Sequence, residues 1–173
     1  MVSFGFCSPL TLLLKGIVWL KWIKVGKSGE MFIGQFEHTV DEKNRIAVPS
    51  KFRRDFKEGA IISKGLDGCL FLFAKTKFTK MAQDIGNLPL SKSSARVYSR
   101  VILASAQEVD FDSQGRIVIP GYLIKHSGIK KEALVLGLYD RVEIWSKESW
   151  GRESLKTDKK AEELIENLSE LGV

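Results

Sequence analysis

The chain contains few residues of the kinds that bind metals or form disulfides. Its 173 residues include two Cys and two His, and neither His lies near a Cys at a spacing typical of zinc sites. Cys7 and Cys69 are too few for a disulfide framework, and Cys69 opens a β-like run, where we expect a small buried residue. The sequence therefore favours a reducing, cytoplasmic compartment and predicts a protein without a cofactor or a metal site.

Sequence signatures of enzymes are also missing. The chain has no G-x-S-x-G, phosphate-loop, Rossmann or metal-ligand pattern. Gly65–Gly68 is typical of a turn rather than of a nucleotide loop. Asp41 and Asp112 could be a catalytic pair only in a two-fold pseudosymmetric protease, but the D-[ST]-G loop of such a site is absent. We therefore expect a protein that is not an enzyme and that has no evident small-molecule ligand.

No apolar run is long enough to cross a membrane. The longest stretch without a charge covers residues 1–14, whereas a spanning helix needs roughly 20 apolar residues. Residues 1–30 also lack the basic start, unbroken apolar centre and cleavage site of a secretory signal. Three interpretations stay open: a weak interfacial segment, a signal-like anchor, or upstream sequence translated from a misassigned start codon. We favour the last, with Met31 as the true start and residues 1–30 as a non-native or disordered extension, and expect no membrane partner.

What the chain does contain is one phrase that occurs twice. Asp41–Pro49 (DEKNRIAVP) returns as Asp112–Pro120 (DSQGRIVIP), and both copies follow the pattern D-x-x-x-R, three apolar residues, Pro. Glu37 and Glu108 each precede the Asp of their copy by four positions. The copies are about 70 residues apart, a separation that suits a repeated domain and is too long for a solenoid repeat. We therefore predict two copies of one small unit.

Each copy predicts a strand, a tight turn, a second strand and the start of a helix. Asn44 and Gly115 occupy the turn position at which a tight hairpin requires a positive φ. Ile46–Val48 and Ile117–Ile119 are β-branched-rich runs that end at a Pro, which cannot donate to a β ladder and opens a helix well. Both copies continue with a short helical stretch, a β-rich run, a turn and another β-rich run.

These patterns predict the domain organisation. The first repeat covers residues 31–77 and the second covers residues 105–148, with a helical connector at 78–104 between them. The C-terminal segment, 149–173, is helical in pattern and has a charged face and an apolar stripe. The stripe either packs on the domain's own surface or forms an oligomer contact. It consists of Trp150, Leu155, Ala161, Leu164, Ile165, Leu168 and Leu171.

The Asp and Arg of each copy have two possible roles. One is a structural salt bridge that fixes the turn, because an Asp carboxylate commonly accepts hydrogen bonds from turn N–H groups. The other is that Arg45 and Arg116, from two related hairpins, face one groove. The planar guanidinium fork is suited to this because it binds phosphate or guanine edges at two points.

The positive charge of the chain favours a polyanionic partner. The net charge is +6 and the sequence pI is near 9.3. Four Lys and one Glu lie in the first thirty residues, so half of the excess is there and a nucleic-acid interaction must depend on local clusters. The first copy carries a dense cluster and the second a thinner one. The first consists of Lys43, Arg45, Lys51, Arg53, Arg54 and Lys57, and the second of Arg116, Lys125, Lys130 and Lys131.

From Met31 to about Trp150 the chain resembles the MraZ family of bacterial transcriptional regulators, which is associated with the division and cell-wall gene cluster. The resemblance rests on M-F-x-G at Met31–Gly34, on the doubled D-x-x-x-R phrase, and on K-F-R at Lys51–Arg53. It rests also on the pattern G-L-x-x-x-[VL]-x-[IL]-[WF], which closes the two halves at Gly65–Phe73 and Gly137–Trp145. Each motif alone is weak, but together they are specific.

The resemblance implies an α+β fold in which two AbrB/SpoVT-like swapped-hairpin units form a pseudo-two-fold β-barrel, flanked by helices. It implies that chains assemble into a ring homo-oligomer. It also implies sequence-specific binding of double-stranded DNA at short G-rich direct repeats upstream of the protein's own operon, usually as a repressor, in the cytoplasm at the nucleoid. A different class stays open beside it: a ring-forming protein-interaction scaffold in which the Asp–Arg turns are purely structural.

The resemblance also assigns roles by position. Two groups of residues would contact DNA and one group would shape the turns. The base-contacting group is Arg45 and Arg116, the phosphate-attracting group is Lys43, Lys51, Arg53 and Arg54, and the turn-shaping group is Asp41, Asp112, Asn44 and Gly115. Asn44 replaces the more usual Gly in the first copy. The second-copy helix at 121–125 lacks the K-F-R character of the first, so equal DNA contact by both halves is not implied.

Overall fold

The computed structural model describes residues 31–170, with side chains described up to Ala161. The predictions for residues 1–30 and for the last residues of the apolar stripe therefore fall outside the described residues. In both repeats the predicted strand, turn, strand and helix start are confirmed. In chain order the elements are β1 (Phe32–Thr39), β2 (Arg45–Ala47), α1 (Ser50–Arg53) with a 3-10 turn (Arg54–Phe56), β3 (Ala60–Lys64), β4 (Leu70–Ala74), α2 (Lys75–Gly86), α3 (Ser93–Ile102), β5 (Gln107–Val109), β6 (Arg116–Val118), α4 (Gly121–Ser127), β7 (Glu132–Tyr139), β8 (Arg141–Ser146) and α5 (Lys147–Glu170).

The fold is α+β, and its strands pair across the two repeats. Six strands form one antiparallel sheet in the order β1-β7-β8-β4-β3-β5, while β2 and β6 form a separate two-stranded ribbon. The first strand of each repeat pairs with the other repeat, because β1 pairs with β7 and β5 pairs with β3. The expected closed barrel is not found within residues 31–170, where β1 and β5 are the two edges of an open sheet.

The main core lies between the β2–β6 ribbon and one face of the sheet. Strand alternation turns Ile46 and Ile117 to this side, and both are completely buried. The helices α1 and α4, which begin after Pro residues, add Phe52 and Leu123. Phe32 of β1 packs edge-on against Phe52, with ring centres 5.3 Å apart. The sheet contributes Ile62, Leu70, Leu72, Val135, Val142 and Ile144. This core fixes the ribbon against the sheet.

A second core lies on the opposite face of the sheet, beneath α2, α3 and α5. Alternation along β4 turns Leu70 and Leu72 into the main core, and turns Phe71 and Phe73 into this one. Cys69 is a buried free thiol here, as the sequence predicted, and burial raises its pKa. The structure is therefore layered, with the ribbon on one side of the sheet and the longer helices on the other.

The start of α5 packs on the sheet. Trp150 lies against Trp145 of β8, with ring centres 5.6 Å apart. Leu155, one turn further, is exposed, and the oligomer contact considered for the apolar stripe stays a prediction. None of the helices within residues 31–170 is both long and apolar enough to cross a membrane.

The two repeated glutamates join matching elements of the two repeats. Glu37 on β1 makes an ion pair with Lys147, the first residue of α5, and Glu108 on β5 makes one with Lys75, the first residue of α2. Each pair therefore links the first strand of one repeat to the helix that follows the last strand of the other. Both pairs are exposed, so each contributes little to stability. Their repetition follows from the internal symmetry of the fold.

Candidate nucleic-acid interface

Two nearly identical Asp–Arg turns form the ends of the β2–β6 ribbon. In the first, one carboxylate oxygen of Asp41 accepts hydrogen bonds from the backbone N–H groups of Lys43 and Arg45, both at 2.9 Å. The other oxygen lies 2.7 Å from both Nε and Nη2 of Arg45, which donate to it. In the second turn, Asp112 makes the same four contacts with Gln114 and Arg116 at the same distances. The structural role considered for the Asp–Arg pairs is therefore realised in both turns.

The backbone explains why these turns need special residues. Asn44 donates to the carbonyl of Asp41 at 2.9 Å, and its φ is +58°. Gly115 does the same to Asp112 at 2.8 Å, with φ +73°. This is the three-residue hairpin loop that closes with a residue in the left-handed region. The positive φ predicted for both residues is confirmed.

Hydrogen bonds keep the two turn carboxylates ionised. The backbone N–H of Arg116, and then its side chain, lower the pKa of Asp112 to about 2. The backbone N–H of Arg45 is likewise the largest cause that holds the pKa of Asp41 below its usual value. At neutral pH each Arg is therefore held by a full negative charge. Each Asp binds Nε and Nη2 of its arginine, so the edge of the guanidinium that carries Nη1 is not bonded to the Asp of its own turn.

The ribbon brings both arginines onto one face. Arg45 lies opposite Val118, and Ala47 lies opposite Arg116. Since paired residues share a face and neighbours alternate, these four side chains lie on the side away from Ile46 and Ile117. Nη1 of Arg116 comes within 3.9 Å of the Asp41 carboxylate, so the two turns also meet across the ribbon.

Two of the basic residues assigned to phosphate binding are bonded within the chain. Nζ of Lys51 donates to the carbonyl of Ile33 at 2.6 Å and lies 4.4 Å from the ring centre of Phe36. Nε of Arg53 donates to the carbonyl of Val48 at 2.7 Å. Lys51 is nonetheless exposed, as are Lys43 and Arg54, whereas Arg53 is half-buried. The sequence alone did not distinguish Lys51 and Arg53 from Lys43 and Arg54.

Arg53 also reaches the turn of the other repeat. A Cβ at Gly115 would overlap its guanidinium. The position of Arg53 is taken by Ile124 in the second repeat, so Asn44 meets no equivalent arginine. This contact explains the Asn44 and Gly115 difference, and it brings the positive charge of Arg53 to the turn of the second repeat, whose own helix has Ile124 at the equivalent position. Burial, and then the positive charge of Arg53, lower the pKa of His38.

Two ribbon residues were not among the predicted site residues. Val118 and Ala47 share the outer face with Arg45 and Arg116, and Val118 is 54% exposed although it is aliphatic. The sequence does contain a signal for them. Side chains two residues apart on a strand share a face, and Ala47 and Val118 each lie two residues after an arginine. Across the described part of the chain, no group of three or more His, Cys, Asp and Glu residues could hold a metal ion.

Comparison with known proteins gives a consistent family. The family model described as "MraZ protein, putative antitoxin-like" matches twice, at residues 31–101 and 102–168. The chain is 42% identical over 143 residues to a protein of Caldanaerobacter subterraneus subsp. tengcongensis named "Transcriptional regulator MraZ", covering 83% of this chain and 100% of that relative. Relatives with the same name from Thermoanaerobacter sp. (strain X514) and Clostridium acetobutylicum are 43% and 40% identical with the same coverage.

Proposed function

Because the chain belongs to the MraZ family, we propose that it is a transcriptional regulator that binds double-stranded DNA through the outer face of the β2–β6 ribbon. The relatives that the chain covers in full are named transcriptional regulators, which is not an enzyme class. The observation that carries the proposal is the placement of two oriented arginines on one face of a two-stranded ribbon.

The dimensions of the ribbon suit the major groove. That groove is about 12 Å wide and admits a two-stranded β-ribbon. Arg45 and Arg116 are diagonal neighbours across the ribbon, and such neighbours lie roughly 7–8 Å apart. Base pairs stack at about 3.4 Å, so the two arginines would reach bases about two steps apart. The edge of each guanidinium that the Asp of its own turn leaves unbonded would offer the fork that pairs with O6 and N7 of guanine.

The Asp–Arg bond and DNA binding support each other. A free Arg side chain loses much rotamer freedom when it binds, whereas Asp41 and Asp112 have already fixed Arg45 and Arg116. The same carboxylates add negative charge near the phosphates. The geometry therefore favours specificity over raw affinity, and a single chain should bind weakly.

Other basic residues would supply the salt-dependent attraction to phosphates. We assign direct phosphate contact to Lys43, beside the first turn, and to Arg54, since both are exposed. Lys51 and Arg53 have partners within the chain, so we assign them the lesser role of adding positive potential. Arg53 provides that potential at the second turn, which partly offsets the thinner cluster of the second repeat.

We further propose the finer features that the family resemblance implies. Several chains in a ring, each built from two swapped hairpins, would bind G-rich direct repeats upstream of the protein's own operon in the division and cell-wall cluster. Linking weak sites in this way raises avidity through effective concentration. The protein would act as a repressor and would work in the cytoplasm, at the nucleoid.

The test is a selection followed by titration. The full chain selects duplexes from a random library, and gel-shift titrations at several salt concentrations then compare the wild type with Arg45→Ala. We expect a loss of discrimination of roughly 1–3 kcal/mol with an unchanged oligomer in size-exclusion chromatography. Arg152→Ala is the matched control, because it removes the same charge from exposed α5, on the other side of the sheet. Wild-type affinity and selectivity in Arg45→Ala would contradict the proposal.

The bonding of Nε and Nη2 of both arginines within their own turns also supports a second candidate. In that case the protein is a ring-forming scaffold for protein interactions, and the Asp–Arg pairs only fix the hairpins. Such a scaffold would bind all duplexes weakly and uniformly, and the selection would enrich no sequence. Binding that falls steeply with salt and also prefers one sequence supports the regulator instead.

A further inference from the structure

The outer face of the ribbon is not symmetric, although its arginines are. The two repeats are related so that Arg45 corresponds to Arg116, and Ala47 corresponds to Val118. A half-turn about the centre of the ribbon therefore exchanges the two arginines and leaves the contacts of each with the Asp of its own turn unchanged. The same half-turn exchanges a valine with an alanine. If arginines alone read the duplex, the ribbon would bind one site in two opposite orientations.

Within the described residues, burial does not explain why Val118 is apolar. It is 54% exposed, whereas its chain neighbours Ile117 and Ile119 are completely buried. The exposed face of a short strand more commonly carries polar or charged residues. In this ribbon the exposed aliphatic side chain lies directly opposite Arg45, within the same surface that we assign to DNA.

The pairing pattern places Val118 directly beside Arg45 on the ribbon. The backbone carbonyl of Asn44 accepts a hydrogen bond from the N–H of Ile119, and the N–H of Val48 donates to the carbonyl of Gly115. Alternation between these bonded pairs makes Arg45–Val118 a non-hydrogen-bonded pair, in which Cα atoms are only about 4.5 Å apart. That distance is close to the spacing of about 3.4 Å between stacked bases. Val118 would therefore meet the base next to the one that Arg45 contacts.

We infer that Val118 is a specificity-determining residue that contacts the C5-methyl group of a pyrimidine in the major groove and thereby sets the direction in which the ribbon binds. This inference rests on the proposed function. A methyl group is the only apolar group that bases present there, and aliphatic side chains contact it. Ala47, at the equivalent position beside Arg116, is too short to make the same contact.

The other differences between the hairpins do not select a sequence in this way. Lys43 is matched by Gln114 in the second turn, and both lie in the loops at the ends of the ribbon rather than on the paired strands that form its outer face. Arg53 is bonded to the carbonyl of Val48. On the outer face of the ribbon, the two repeats therefore differ in Val118 and Ala47, and this difference can discriminate bases.

The experiment removes one methyl group at a time from the DNA. A duplex selected by the wild-type chain is resynthesised with deoxyuridine in place of each thymidine in turn, and the affinity is measured by gel shift. We expect one position, next to a guanine, at which the wild type binds about fourfold more weakly, as for the loss of one buried methyl group. Val118→Ala should bind both duplexes equally.

An exchange variant tests the direction of binding. Ala47→Val combined with Val118→Ala moves the valine beside Arg116, so the sensitive methyl position should move to the opposite side of the site. A selected site without a thymine at that place, or a methyl effect that persists in Val118→Ala, would overturn the inference. Binding of Arg45→Ala to the same duplex distinguishes a failure of the proposed function from a failure of this inference. If it binds like the wild type, the proposed function fails, whereas normal Arg45 dependence without a Val118-dependent methyl effect rejects this inference alone.

Discussion

The contact between Arg53 and Gly115 predicts a large penalty for adding one methyl group. Gly115→Ala places a Cβ where the guanidinium of Arg53 lies, at a residue with φ +73°. The left-handed conformation costs a residue with a side chain about 1 kcal/mol or somewhat more. Arg53 must also move, which breaks its 2.7 Å bond to the carbonyl of Val48. Hydrogen bonds of charged groups contribute about 1.5–3 kcal/mol.

The strain and the lost hydrogen bond together predict a destabilisation of about 3 kcal/mol. This sum takes the lower end of the hydrogen-bond range because Arg53 is only half-buried. For a chain of this size each kcal/mol lowers the melting temperature by about 2–4 °C, so we expect a loss of about 6–12 °C. The assay is thermal unfolding followed by circular dichroism, with all variants at one protein concentration because assembly would shift the midpoint.

Two controls separate backbone strain from the Arg53 contact. Asn44→Ala puts an alanine at the equivalent turn position, with φ +58°, and should lose only the strain of about 1 kcal/mol. Gly115→Ala in an Arg53→Ala background should likewise cost about 1 kcal/mol, because the overlapping group is gone. Equal losses for Gly115→Ala in both backgrounds, or a loss no larger than that of Asn44→Ala, would refute the reasoning.

Two further predictions concern the ribbon. The folded-state pKa of Asp112 is about 2, below its value in an unfolded chain, so this carboxylate stabilises the fold above about pH 4 and the effect is lost as the pH falls toward 2. Asp112→Asn should therefore reduce the pH dependence of urea unfolding in that window, and an unchanged slope would contradict the assignment. Ile117→Ala should lower the free energy of unfolding by about 2–5 kcal/mol because Ile117 is completely buried. Val118→Ala, its exposed neighbour, should change it by no more than about 0.5 kcal/mol, and similar losses for both would show that the outer face is packed in solution.

Much of the local structure could be predicted from the repeated phrase. The turn, the flanking strands and the helix start follow from the order of Asp, Asn or Gly, β-branched residues and Pro. Asn44 and Gly115 adopt the positive φ that the phrase requires. The family resemblance came from the same short motifs. Its base-contacting and phosphate-attracting assignments remain predictions.

The partners of individual side chains could not be predicted. Lys51 and Arg53 belong to one basic cluster in the sequence, yet one is bonded to β1 and the other reaches the second turn. A different arrangement of the repeats would give both residues other partners. Likewise, the ion-pair partners of the two repeated glutamates, Lys75 and Lys147, are known only from the folded chain.

The sequence by itself determined the two hairpins, because a turn depends on contacts among about five neighbouring residues that the phrase contains. Only the tertiary structure decided that β1 pairs with β7, that β5 pairs with β3, and that the two hairpins share one ribbon. These pairings bring together residues from different repeats, and their strength comes from burying Ile46 and Ile117 against the whole sheet. No local pattern specifies that burial, so the common face of Arg45, Arg116 and Val118 exists only in the folded chain.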